Sequence, residues 1–146
     1  MIAVDTNVLI YAHRSEGPWH QQARGALKAL AEGNLPWGIP SPCLAEFLAI
    51  VTGFRGSIKA TPLADALIQA AEWLRAPHVS LLHSGIGHAQ TLFDLARAAN
   101  LKAGQFHDAR IATICIENGV TELWTADRDF SRFPKLKTRN PLVLVA

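Results

Sequence analysis

Four carboxylates interrupt apolar patterns where a charge needs a reason. Asp5 closes the run Ile2-Ala3-Val4 and is followed by Thr6, Asn7 and a second apolar run. Glu46 is the only charge in PCLAEFLAIV, Asp108 leads DARIATICIENG, and Asp127 follows ELWT by two residues with Asp129 close behind it. Singly, most have ordinary explanations: Asp108 as a helix N-cap, Glu46 as an exposed or Arg-paired glutamate, Asp127 as a turn former. Asp5 is harder to explain that way, because Thr6 can cap the helix that follows. Convergence would change the chemistry. Two carboxylates about 4 Å apart repel by about 4 kcal/mol at an effective dielectric near 20, and a fold stable by about 5–15 kcal/mol does not carry several such pairs uncompensated. A divalent cation resolves the conflict, and hard oxygen ligands without clustered His or Cys select Mg²⁺ or Mn²⁺ over zinc. The histidines (His13, His20, His78, His83, His88 and His107) show no ligand pair at helical i, i+4 spacing and are read as surface or core residues, although His107 can tune its neighbour Asp108. A cation held by acids makes water nucleophilic near neutral pH and stabilises charge growing on a phosphoryl oxygen.

Strands and helices must bring these acids together. Ile2 to Val4 reads as a short buried strand leading into a helix from near Asn7, with Thr6 as its cap. A helix from about Pro18 to Glu32 ends in Gly33-Asn34; LPWGIPSP then supplies a short strand before a helix from about Cys43 to Thr52. On that helix Glu46 shares a face with Cys43, Ala49 and Ile50. Thr61-Pro62 starts a further helix, Thr61 as N-cap and Pro62 at the first position, with Leu63, Leu67, Ala70 and Leu74 as its buried stripe. HVSLL is a third strand, and Ser84-Gly85 leads into a helix with Ala89, Leu92, Phe93, Ala96 and Ala99 on one face. Asp108 begins a helix whose apolar stripe is Ile111, Ala112 and Cys115, closed by Asn118-Gly119. ELWT (122–125) and LVLV (142–145) complete five strands. Strands alternating with crossover helices predict a three-layer α/β/α domain with a central, mainly parallel five-stranded sheet, whose ligand site lies beyond the carboxyl ends of the strands. Asp5 and Asp127 sit at such ends, and Asp108 is expected to point its carboxylate at the same sheet edge.

The chain of 146 residues suits one compact domain spanning 1–146, burying roughly 70% of the surface its unfolded form exposes. With 49% apolar and 18% charged residues, disorder is excluded. No apolar run approaches the roughly 20 residues of a membrane span, and the start lacks the pattern of a signal peptide, so a cytoplasmic protein is expected. Cys43 and Cys115 are read as buried free thiols, consistent with a reducing compartment. Net charge is only +2, but Arg128, Arg132, Lys135, Lys137 and Arg139 face just Asp127 and Asp129 in the stretch 127–139, which permits an anionic partner.

Four stretches together carry a family resemblance: VDTNVLIYA, SPCLAEFL, FHDARIAT and LWTADRDFSRFP, in this order along essentially the whole chain. In these the chain resembles the PIN-domain ribonucleases, specifically the VapC-type toxins of bacterial toxin–antitoxin pairs. The resemblance implies Asp5, Glu46, Asp108 and Asp127 as catalytic acids and Mg²⁺ or Mn²⁺ ligands, with Asp129 either ligating a second metal or orienting the turn. It implies Thr6, Asn7, Ser41 and Thr125 as polar groups that orient carboxylates or metal-bound water. It further implies endonucleolytic cleavage of RNA, with transfer or ribosomal RNA as targets and 5′-phosphate and 3′-hydroxyl products. The implied partners are a second copy of the chain and a VapB-type antitoxin, assembled as a homodimer within a hetero-oligomer, with no membrane. Arg110, Arg128, Arg132, Lys135 and Lys137 could contact RNA phosphates, positioning the strand without reading its sequence.

Two other classes compete. A strand-end DTN also suits an aspartate-based phosphatase or receiver domain, but the former wants a second aspartate where Asn7 stands, and the latter wants paired early acids and a late lysine. A PIN-like module that binds RNA or protein without cutting is the other alternative. Retaining all four acids argues against it, since a negative cluster facing phosphates hinders mere binding.

Overall fold

In the computed structural model, which describes residues 1–54, 56 and 58–143, the N-terminal apolar run forms β1 (Ile2–Val4), with Ala3 and Val4 fully buried. The elements that follow are α1 (Thr6–His13), α2 (His20–Glu32), β2 (Trp37–Pro40), α3 (Ser41–Val51), α4 (Leu63–Leu74), β3 (Val79–Leu82), α5 (His88–Ala99), α6 (Gln105–Glu117), β4 (Glu122–Trp124), a 3₁₀ turn over Arg128–Arg132, and β5 (Lys137–Arg139). The sheet order is β3-β2-β1-β4-β5, and every pairing is parallel. β1 is central: Ile2 lies opposite Trp37 on one side and Glu122 on the other.

This order decides where a site can form. The chain moves outward from β1 through β2 to β3, then returns across the sheet to β4. Right-handed crossovers therefore place the helices of the outward and return paths on opposite faces. α1, α2, α3 and α4 pack on one another as one layer, and α5 packs with α6 as the other. The crevice beyond the carboxyl ends of β1 and β4 is thus the topological switch point.

Several sequence expectations are revised by packing. Asp5, not Thr6, is the N-cap of α1, its Oδ1 accepting from the Thr6 amide at 2.8 Å. α2 begins at His20 rather than Pro18. α4 is capped by Pro62 without a side-chain hydrogen bond from Thr61. Its buried residues are Ala66 and Ala70, so of the expected stripe only Ala70 is buried, whereas Leu63, Leu67 and Leu74 are exposed, as is Ile68. On α5 only Leu95 is buried; Leu92, Ala96 and Ala99 are half-buried, while Ala89 and Phe93 are exposed. Both helices use small or few residues to touch the sheet and turn larger apolar groups outward. Asp108 does not begin α6 but lies in its first turn, behind the cap Gly104. The helix ends at Asn118 and Gly119, and Gly119 has φ +70°, the left-handed conformation that suits glycine.

The last strand is also displaced. β5 is Lys137–Arg139, paired with β4, while Leu142 and Val143 of the expected LVLV strand lie in a turn and Leu144 to Ala146 lie outside the described residues. An edge strand needs only one paired side and is commonly charged, so its exposed Lys-Thr-Arg side chains do not signal it by hydrophobicity. Leu136 and Leu142, both buried, anchor the segment on either side.

Candidate active site

Asp5 enters the switch-point crevice directly from β1, its amide bonded to the Trp124 carbonyl of β4 at 3.0 Å. Only 5% of the residue is exposed. Its carboxylate is held by four donors. Oδ1 accepts from the Thr6 amide at 2.8 Å and the Cys43 thiol at 3.4 Å, and Oδ2 accepts from the Thr125 hydroxyl at 2.7 Å and the Asn7 side-chain amide at 3.2 Å. Burial raises the Asp5 pKa; the hydrogen bonds from Thr125, Thr6 and Cys43 oppose that rise, and Glu46 adds to it.

Thr125 ties the two strand ends together. While donating to Asp5, its Oγ1 accepts from the Asn7 side chain at 3.2 Å and the Asp127 amide at 3.0 Å. One donor and both acceptor positions of the hydroxyl are thereby used. Asn7 in turn accepts from the Ala126 amide through Oδ1 at 3.1 Å. The backbone entering the Asp127 turn is therefore pinned to the start of α1, and Asp127 caps the 3₁₀ turn by accepting from the Asp129 amide at 2.8 Å.

The second half of the site is an acidic triad. Asp108, Asp127 and Asp129 each present a carboxylate oxygen, and these oxygens lie within 4.8 Å of one another. α6 supplies Asp108 from its first turn, because the buried run Ala109 and Ile111–Cys115 fixes the helix against the core and leaves Asp108 at its half-buried end. The Asp108 pKa is raised to about 6, first by burial, then by the charges of Asp127, Asp5 and Asp129, with Arg132 opposing. The part of that rise due to Asp127, Asp5 and Asp129 reflects like charges crowded together, and three hard oxygen donors at this spacing suit a divalent cation.

Glu46 approaches from α3. The buried stripe of that helix is Cys43, Phe47 and Val51, so Glu46 and Ala49 are exposed rather than embedded among apolar groups. Glu46 Oε2 accepts from the Thr6 hydroxyl at 2.9 Å, a bond made possible because Asp5 has taken the capping role. Asp5, Glu46, Asp108 and Asp127 line one cleft of about 440 Å³, together with Thr6, Asn7 and Arg14.

Thr6, Asn7 and Thr125 bond to the acids, and Asp129 joins Asp108 and Asp127. Ser41, at the start of α3, makes no hydrogen bond to any of these acids. Arg110, Arg128, Lys135 and Lys137 are exposed; Arg132 is half-buried, with Nη2 3.8 Å from Asp129 Oδ1. Sequence reasoning passed over Cys43 as a donor to Asp5, since a cysteine in an apolar helix carries only a core signal. Both cysteines are buried and free, as expected; burial pushes Cys115 up to about 12 and Cys43 well above its ordinary value, with Asp5 adding to both. Arg14 also carried no sequence signal for the cleft.

The architecture is that of an α/β/α domain shared with toxin structures. VapBC2 of Rickettsia felis, solved bound to a DNA fragment from its promoter, matches at a TM-score of 0.69 over 96% of this chain and 98% of that one, with 22% identity. VapC20 of Mycobacterium tuberculosis, a sarcin-ricin loop cleaving toxin, matches at 0.64 over 90% and 93%, with 17% identity. In sequence, the PIN domain model matches residues 2–136, and Ribonuclease VapC43 of Mycobacterium tuberculosis is 37% identical over 142 residues, 97% of this chain and 96% of that protein. The chain belongs to the PIN-domain family, among the relatives of the VapC ribonucleases. No described helix is long and apolar enough to cross a membrane.

Proposed function

We propose that this chain is a divalent-metal-dependent endoribonuclease, the toxin of a toxin–antitoxin pair. The observation that carries the proposal is the convergence of the Asp108, Asp127 and Asp129 carboxylates, of which Asp108 and Asp127 line one open cleft with the buried, hydrogen-bonded Asp5. The name of its 37% identical relative and the RNA-cleaving description of a protein of the same fold support the substrate class. Asp108, Asp127 and Asp129, with Asp5 and Glu46 at the margins, would hold Mg²⁺ or Mn²⁺. When bound, such a cation makes water nucleophilic near neutral pH and offsets the charge that grows on the phosphoryl oxygens. Thr125, Asn7 and Thr6 orient the acids, and Glu46, which lines the same cleft, would accept a proton from attacking water. The exposed bases Arg110, Arg128, Lys135 and Lys137, with Arg132, would attract RNA phosphates toward an otherwise negative cleft.

The targets proposed are structured RNAs, transfer or ribosomal, cut to 5′-phosphate and 3′-hydroxyl ends. The proposed inhibitor is a VapB-type antitoxin covering the cleft, and the shared fold of a toxin–antitoxin complex from Klebsiella pneumoniae supports such a partner. The exposed apolar faces of α4 and α5, with Leu63, Leu67, Ile68 and Phe93, support self-association as a homodimer. Purified protein freed of antitoxin should cut total RNA when Mg²⁺ or Mn²⁺ is present and stop when EDTA is added. Absence of metal-dependent cleavage, together with an Asp5→Asn variant as toxic to cells as the wild type, would replace this reading with a non-catalytic binding module.

A further inference from the structure

Arg14 is the one basic residue among the described residues that line the cleft. It closes α1 as the C-cap, its amide bonded to the Ile10 carbonyl at 3.0 Å, and the residue is only 9% exposed. Its Nη2 donates to the Ile50 carbonyl at 3.3 Å. Its Nε is shut away from solvent and has no hydrogen-bond partner among the described residues. No carboxylate among the described residues forms an ion pair with it, although Asp5, Glu46, Asp108 and Asp127 line the same cleft.

A guanidinium stays charged at any ordinary pH and carries five N–H donors in a planar fork. Burying it with donors unused costs free energy that a neutral residue would avoid. A buried cation this close to several acids would ordinarily be neutralised by one of them. Here Asp5 is held by Thr6, Asn7, Cys43 and Thr125 and Glu46 by Thr6, none of the described acids pairs with Arg14, and the Nη donors beyond the Ile50 bond are left for an anion that enters the cleft.

We propose that Arg14 binds a phosphate of the RNA strand adjacent to the phosphodiester held at the acids, and so sets the register of the strand in the cleft. This rests on the ribonuclease reading. A phosphate can take paired hydrogen bonds from the two Nη groups of the planar fork, and one positive anchor offsets the repulsion between a polyanionic strand and a cleft lined by four acids. The contact is to backbone and so fixes position without selecting sequence.

The test uses the whole chain in EDTA, so that RNA is bound but not cut, with a short labelled oligouridylate as probe. Each phosphate contact to a single strand contributes about 0.7 to the slope of log affinity against log salt. Arg14→Met, which keeps the apolar stem and loses the charge, is expected to flatten that slope by about 0.7 and weaken binding about tenfold or more. Arg14→Lys is expected to keep the slope. A folded Arg14→Met protein with an unchanged slope overturns the inference. Should Arg14→Met fail to fold, the wild-type Arg14 Nε–H resonance, followed by ¹⁵N NMR, is expected to shift as oligouridylate is added. No shift at saturation, or a shift with an acidic peptide and none with RNA, overturns the proposal in favour of a structural role or a carboxylate partner. These outcomes leave metal-dependent cleavage by the wild type intact, whereas a wild type that neither binds nor cuts RNA removes both readings.

Discussion

Asp5 and Asp108 share one cleft and are built in opposite ways. Asp5 follows a central strand, is almost wholly buried, and has both carboxylate oxygens occupied by donors from Thr6, Asn7, Cys43 and Thr125. Asp108 stands in the first turn of a helix, half-buried, facing two other carboxylates. Position is guaranteed at Asp5 by hydrogen bonds and at Asp108 by the packing of α6. Fixed geometry and unspent ligand capacity are thereby assigned to different residues, which suits a site that must hold an ion without collapsing when it is absent.

Substitution should separate these roles. Asp5→Asn is expected to lower RNA cleavage by at least about 100-fold and to destabilise the fold by about 1–3 kcal/mol, because one amide NH₂ must then face a donor. Cleavage assays and chemical denaturation would read the two effects. Asp108→Asn is expected to abolish cleavage to a similar degree while leaving the metal-free fold at least as stable as the wild type at neutral pH. If both variants lost stability equally, the contrast between the two acids would fail.

The pH dependence sharpens the same contrast. Asp108 is raised from its ordinary 3.8 to about 6, chiefly by burial and then by its acidic neighbours. Its contribution to stability is therefore full below about pH 4 and lost as pH rises through about 6. Metal-free wild type should show this decline in denaturation experiments across that window, Asp108→Asn should show a shallower one, and added Mg²⁺ should restore stability at neutral pH. Thr125→Val removes three hydrogen bonds at the strand ends and is expected to cost about 10–100-fold in activity or metal affinity. The smallest effect concerns the outer layer: Leu67→Lys on α4 should leave unfolding nearly unchanged but shift sedimentation toward monomer.

Much of the site was legible because its acids break apolar patterns at strand ends and helix starts, which is how Asp5, Asp108 and Asp127 reveal themselves before any fold is known. The alternation of strands and crossover helices likewise foretold the parallel sheet. Other features depended on competition that spacing does not encode. Asp5 and Thr6 are both competent caps, and only the fold shows that Asp5 takes the amide and frees the Thr6 hydroxyl for Glu46. Apolar periodicity on α4 located a real face, but periodicity does not say whether that face meets the core of its own chain. β5 carries no hydrophobic signal because an edge strand of Lys, Thr and Arg is held by backbone pairing, whereas the more apolar LVLV has the composition of a strand without its pairing at Leu142 and Val143. Ser41 shares its residue type with the orienting groups yet contacts none of the acids, since its place at the start of α3 does not bring it to them.

Titration of the metal-free protein with Mn²⁺, followed by electron paramagnetic resonance of the free ion, tests the acidic centre most directly. Wild type is expected to sequester Mn²⁺ in competition with Mg²⁺, and Asp108→Asn to lose that binding while remaining folded. Undiminished binding in Asp108→Asn, or none in the wild type, would contradict a cation site built on Asp108, Asp127 and Asp129.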